Sequence, residues 1–186
     1  MAGNEHKLIV SGCIGAGKTT AISQLSKIRV VSTEAQNNDI QNSSKAQTTV
    51  AMDYGELSLD NGDRLRLYGT PGQKRFDYMW KVMAPGSLGV ILLLDNQRKQ
   101  VLEELQEYLA VFQSFIQEQR MVIGVVRSNE YHYPSVGDYY AYLRSVQLQA
   151  PVFSIDARRR SDIVLLINAL LSQIEMKIKL QARSVS

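Results

Sequence analysis

The sequence predicts an α/β fold, a mostly parallel central sheet of about six strands with one antiparallel hairpin at its edge and helices on both faces. Three observations predict it. Short apolar runs of strand length alternate with longer runs whose apolar residues recur every three or four positions. The first apolar run leads straight into a glycine-rich turn. In mid-chain, Asn61-Gly62 separates two further strand-like runs, and Asn-Gly supplies the positive φ values of a tight primed hairpin turn.

Taken in order, the first strand is Lys7 to Ser11, and the helix after the glycine turn begins near Lys18. Residues 32–48 are polar and aperiodic, a long loop of the kind that usually carries function. Val50 to Leu59 and Leu65 to Tyr68 form the hairpin. Leu88 to Leu94 is continuously apolar, as in a strand buried on both faces. Leu102, Leu105, Leu109, Phe112 and Ile116 mark one amphipathic helix. Met121 to Val126 is a strand, Tyr139 to Val146 a helix and Val152 to Ile155 a strand. Ile163, Leu166, Leu170, Ile174 and Ile178 line the core side of a final helix.

At 186 residues and 20.9 kDa the chain reads as a single domain spanning 1–186, large enough to bury a core without staples. Apolar residues at 45% and charged residues at 21% exclude a disordered chain. The longest apolar run falls far short of the ~20 residues of a membrane span, so no stable membrane insertion is expected. Neither end resembles a signal peptide or a lipidation box, which points to a cytoplasmic protein. A lone cysteine, Cys13, excludes an intramolecular disulfide and any multi-cysteine zinc site. The net charge of +3 is local. Residues 1–156 carry 15 Lys/Arg against 16 Asp/Glu, and the last thirty carry 6 against 2. The body is neutral, so no nucleic-acid face is expected.

Gly12-Cys13-Ile14-Gly15-Ala16-Gly17-Lys18-Thr19 fits G-x-x-x-x-G-K-[ST], with a strand before it and a helix after it. Glycines let the backbone wrap a phosphate so that successive N–H groups point inward, and the helix N-terminus adds partial positive charge. Lys18 can bridge the terminal phosphates, and the Thr19 hydroxyl can ligate Mg²⁺. The fold class is therefore that of a P-loop NTPase, with Gly12 through Thr19 and the adjoining Thr20 as nucleotide-binding residues.

Two further segments narrow the class. TTVAMDYG (48–55) ends the polar loop, and GTPGQKRF (69–76) follows the hairpin. With the phosphate loop, they resemble the Ras-like small GTPases, and most closely the bacterial group that includes the gliding-motility GTPase MglA and the Roadblock-associated ATP/GTP-binding proteins. The resemblance implies GTP/GDP as the bound nucleotide and Mg²⁺ as cofactor. Thr49 would complete the metal shell alongside Thr19, with Thr48 one register away as competitor. Gly72 would donate its amide to the γ-phosphate. Gln73 would position the attacking water, so Gln73 and Lys18 are the expected catalytic pair. Two departures stand out: Gly69 replaces the usual aspartate of D-x-x-G, and Pro71 removes an amide donor. Both point to slow intrinsic hydrolysis that a partner corrects. Asp95, at the end of its strand, is either a metal-associated carboxylate or a structural one.

Base recognition is expected from Glu130, within Arg127-Ser128-Asn129-Glu130 where the family carries N-K-x-D, and from the backbone of Ala157. A carboxylate can accept from both guanine N1–H and its 2-amino group, which favours guanine over adenine. Arg158 either packs over the base or belongs to a solvated run with Arg159 and Arg160. His6 and His132 are isolated. The tyrosines between 131 and 142 read mainly as packing. Cys13, beside positive charge, is a candidate for a lowered pKa. The resulting expectation is a GTP-hydrolysing switch in which GTP and Mg²⁺ order residues 32–49 and 69–80. The resemblance adds a Roadblock/LC7-type regulator and a role in polarity, motility or signalling. A nucleotide-binding scaffold with little hydrolysis and a P-loop small-molecule kinase are the rivals.

Overall fold

A computed structural model describes residues 3–32, 52–72, 80 and 82–184. The described strands form one seven-stranded sheet: β1 (Glu5–Gly12), β2 (Val31–Ser32), β3 (Asp53–Ser58), β4 (Arg64–Gly69), β5 (Ser87–Asp95), β6 (Met121–Val126) and β7 (Val152–Ile155). Their order is β2-β3-β4-β1-β5-β6-β7. β1 runs parallel to β4 and β5, β6 and β7 continue the parallel set, and β3 is antiparallel to both β2 and β4. The expected architecture is present, with a two-residue seventh strand added at the hairpin edge. Around the sheet lie α1 (Lys18–Leu25), α2 (Val101–Val111), α3 (Gln113–Gln117), α4 (Val136–Ser145) and α5 (Arg160–Ser184).

Alternation along the central strands divides the core in two. Ile9, Val90, Leu92 and Ile123 face α2, α3, α4 and Trp80, whereas Leu8, Val10, Ile91, Leu93 and Val122 face α1 and α5. Both faces of β5 and β6 are apolar because both are covered by helices. The chain leaves β1 toward β4 on one side and later returns to β5 on the other. The C-terminal end of β1 therefore lies at a switch point in strand order, where open α/β sheets form their ligand crevice.

Three local expectations are revised. The hairpin turn is a three-residue loop, with Gly62 N–H bonded to Leu59 O at 3.0 Å and Leu59 N–H to Asp63 O at 2.8 Å. Only Gly62 is left-handed (φ 87), so the turn is a type I turn with a glycine bulge and not a primed pair. The stripe from Leu102 to Ile116 is broken at Phe112 into α2 and α3, and the break lets the Phe112 ring stack on Trp80 (6.0 Å) while Phe115 meets it edge-on (6.1 Å). On α5, Ile163, Leu166 and Leu170 are buried but Ile178 is 60% exposed. No described helix is long and apolar enough to cross a membrane.

Candidate nucleotide-binding site

The phosphate loop begins where β1 runs out of room for side chains. A Cβ on Gly12 would stand 2.2 Å from Leu93 O on β5. Gly15 (φ 83) and Gly17 (φ 86) adopt the left-handed backbone that glycine permits at low cost. Gly17 caps α1 with no side-chain acceptor, which leaves the first-turn amides of Lys18, Thr19 and Thr20 open to an anion. Gly17 is also sterically confined, since a Cβ there would lie 2.8 Å from the Ala157 Cβ.

Lys18 is buried, and its Nζ donates to Gly12 O and Cys13 O at 2.8 Å each. Burial lowers its pKa from the ordinary 10.5. Gly72 closes over the same place: a Cβ there would stand 2.6 Å from Ile14 N and 2.8 Å from Lys18 Nζ. The 70–72 turn is pinned beside β1 by Thr70 N–H to Val10 O and by Thr70 Oγ1 to Ser11 Oγ, both 3.0 Å. Trp80 Nε1 donates to Pro71 O at 3.3 Å, and its ring stacks on Tyr108 of α2 at 4.8 Å.

At the foot of α1, Thr19 Oγ1 donates to Asp53 Oδ2 at 2.5 Å. Asp53 is the buried first residue of β3, in register with Gly69 at the end of β4. The missing carboxylate at 69 thus has a counterpart on the neighbouring strand, which the motifs alone do not single out. A signal for it exists, because counting back along the hairpin from the Leu59–Asp63 closure puts 53 opposite 69. A hydroxyl and a carboxylate are the hard oxygen donors that Mg²⁺ takes, with phosphates and water completing its shell. No cluster of three His, Cys, Asp or Glu side chains occurs among the described residues, so a self-sufficient protein cage is not formed there.

A cavity of about 280 Å³ opens beside the loop, lined by Gly17, Thr20, Arg127, Glu130, Ala157 and Arg158 among others. Glu130 and Ala157 are thereby brought to the same pocket as the end of the phosphate loop. Arg158 lines this cavity with its guanidinium paired to Asp156, Nε and Nη2 donating to Oδ1 and Oδ2 at 2.9 and 2.8 Å. That pairing pulls the Asp156 carboxyl down to about 2. Asp95 accepts from Arg127 Nη1 and from Gln97 N–H at 3.1 Å. Arg127 Nη2 also donates to Gly15 O at 3.3 Å, so this side chain ties β5, β6 and the phosphate loop together.

The expectation for Cys13 is overturned. Burial raises its thiol to about 11, outweighing the Arg98 and Lys18 charges. The tyrosines divide: Tyr139 is fully buried with its hydroxyl on Asn96 Oδ1 at 2.6 Å and Tyr142 packs against the core, whereas Tyr131, Tyr133 and Tyr140 are exposed, the Tyr140 OH accepting from Val152 N–H at 3.0 Å. Thr48, Thr49 and Gln73 lie outside the described residues.

A family described as conserved hypothetical ATP binding protein is matched by residues 28–127, just over half of the chain. The chain belongs to this family. The part shared with the ATP-binding family starts after the glycine loop and takes in Asp53, Gly69, Gly72 and Asp95 before ending at Arg127. An uncharacterized protein of Methanocaldococcus jannaschii is 30% identical over 115 residues, covering 61% of this chain and 66% of the relative's length. Family membership and the phosphate loop together describe a nucleotide-binding protein of the P-loop type.

Proposed function

We propose that the chain is a small Ras-like switch that binds GTP with Mg²⁺ and hydrolyses it slowly to GDP. The observation that carries the reading is the Thr19–Asp53 bond at the foot of the phosphate loop. It puts a carboxylate beside the hydroxyl that meets Mg²⁺ in this loop type, and supplies from β3 what Gly69 lacks. Thr19 and, by resemblance, Thr49 would hold the metal, with Asp53 orienting the Thr19 hydroxyl from behind, and the metal would neutralise charge on the β- and γ-phosphates when bound. Lys18 would leave the carbonyls of Gly12 and Cys13 for the phosphates. Gly72 would yield its place over Ile14 N and meet the γ-phosphate with its amide. Gln73 would orient the water. Glu130 would accept from the guanine N1–H and 2-amino group, with the Ala157 amide donating to the base carbonyl.

The family description favours a second reading, ATP in place of GTP. Adenine presents a donor at N6 and an acceptor at N1, and a lone carboxylate complements only the first. The resemblance further suggests a Roadblock/LC7-type regulator that completes or accelerates the site. The test is single-turnover hydrolysis of Mg²⁺·GTP by wild type and Gln73→Leu. We expect turnover to fall by ~100-fold with affinity retained. Equal rates would remove Gln73 from the mechanism, and no phosphate release by wild type would leave a binding scaffold.

A further inference from the structure

A second, smaller cavity of about 80 Å³ lies between the phosphate loop and α2, lined by Cys13, Ile14, Gly72, Trp80, Arg98 and Glu104 among others. Glu104 is 7% exposed, and its two carboxylate oxygens are treated differently. Oε1 accepts from Arg98 Nε at 2.5 Å, whereas Oε2 is buried with no hydrogen-bond partner. An ionisable oxygen left unpaired inside a protein bears its full desolvation penalty, so its retention calls for a reason.

The reason lies in the cavity wall. Gly72 stands between this space and the seat formed by Ile14 N and Lys18 Nζ. On the hydrolytic reading the terminal phosphate takes that seat, which would place it alongside this cavity. The volume exceeds the ~10–15 Å³ that one water requires. We propose that this cavity seats the water that attacks the terminal phosphate, with Glu104 Oε2 as its proton acceptor and Arg98 holding the carboxylate in place. The inference rests on the hydrolytic reading above. The water oxygen bonds to the γ-phosphorus as the bond from that phosphorus to the β–γ bridging oxygen breaks. The electron pair leaves with the nucleoside diphosphate. The water's proton passes to Glu104 Oε2 and from there to the released phosphate. Glu104 is thus a base toward that water, and Arg98 is a positioning residue.

The test is single-turnover phosphate release from Mg²⁺·GTP by wild type, Glu104→Gln and Glu104→Ala, with GTP affinity and melting temperature measured on each. We expect Glu104→Gln to lose ~100-fold or more in rate, the range of a general base, with affinity within about twofold of wild type. Added formate should restore a substantial part of the Glu104→Ala rate, which a purely structural role would not allow. A wild-type rate in Glu104→Gln overturns the proposal and leaves GTP hydrolysis standing. Loss of rate with no formate rescue and a lowered melting temperature also overturns it. A wild type that releases no phosphate overturns both readings.

Discussion

Gly69 and Asp53 face each other across β4 and β3, and a Cβ at 69 would stand 2.9 Å from the Asp53 Cβ and 3.2 Å from its Oδ2. Position 69 is held to glycine because the Asp53 side chain of the adjacent strand fills the space a Cβ would take. A methyl at 69 would also meet Ile22 Cδ1 at 3.0 Å. Gly69→Ala should therefore destabilise the protein by about 1–3 kcal/mol, the usual cost of overpacking, as read by denaturant unfolding. An unchanged midpoint would show that the strands accommodate both side chains.

Asp53→Asn keeps an oxygen to accept from Thr19 and removes the charge. GTP affinity in Mg²⁺ should drop ~10-fold or more, as for other outer-shell metal partners, while affinity in EDTA stays the same. Equal losses with and without metal would place Asp53 in the fold alone.

Cys13 should be inert. With its thiol raised to about 11 from the ordinary 9.0, the thiolate fraction at pH 8 falls roughly a hundredfold. Alkylation by iodoacetamide in the native protein should be slower by that factor than after unfolding. Rapid native labelling would contradict the burial of Cys13.

The only tryptophan, Trp80, is placed to report on the 70–72 turn, because its indole holds Pro71 O and its ring stacks on Tyr108. Its emission should change on adding a non-hydrolysable GTP analogue and much less on adding GDP. Identical responses to the two would mean that the turn does not read the terminal phosphate.

The Asp156–Arg158 pair gives a pH signature. Its folded-state pKa is depressed, so the stabilisation is complete above the ordinary 3.8 and is lost as pH falls toward about 2. Carboxyl NMR titration should place the Asp156 midpoint near the lower value in wild type and near the ordinary one in Arg158→Ala. An ordinary midpoint in wild type would mean that Arg158 is free to reach the base.

Much of the fold is legible in the order of the residues. β6 carries its sequence bounds because a buried parallel strand is a continuous apolar run ended by polar residues, and β7 is bounded by Pro151 and Asp156 although the exposed Ser154 interrupts its apolar run. The phosphate loop is legible because each of its residue types answers a separate physical demand. What escapes is set by distance in space. The start of α4 at Val136 depends on the capping box of Ser135 and Asp138, whereas apolar periodicity alone begins at Tyr139. Asp53 reads as a polar residue in an alternating strand until hairpin register places it against Gly69. Glu104 reads as one more charge on an amphipathic helix, and only packing shows that it points inward. For Cys13 the nearby charges suggest the wrong sign, because depth of burial is not a sequence-local quantity.

The equilibrium affinity of the nucleotide-stripped wild-type protein for GTP and for ATP, each in Mg²⁺ and in EDTA, decides whether the site is a Mg²⁺-dependent guanine nucleotide site. GTP should bind ~10-fold or more tighter than ATP, one charge-assisted base contact being worth about 1.5–3 kcal/mol, and Mg²⁺ should strengthen GTP binding. Preference for ATP, or affinity for GTP indifferent to Mg²⁺, would contradict that assignment.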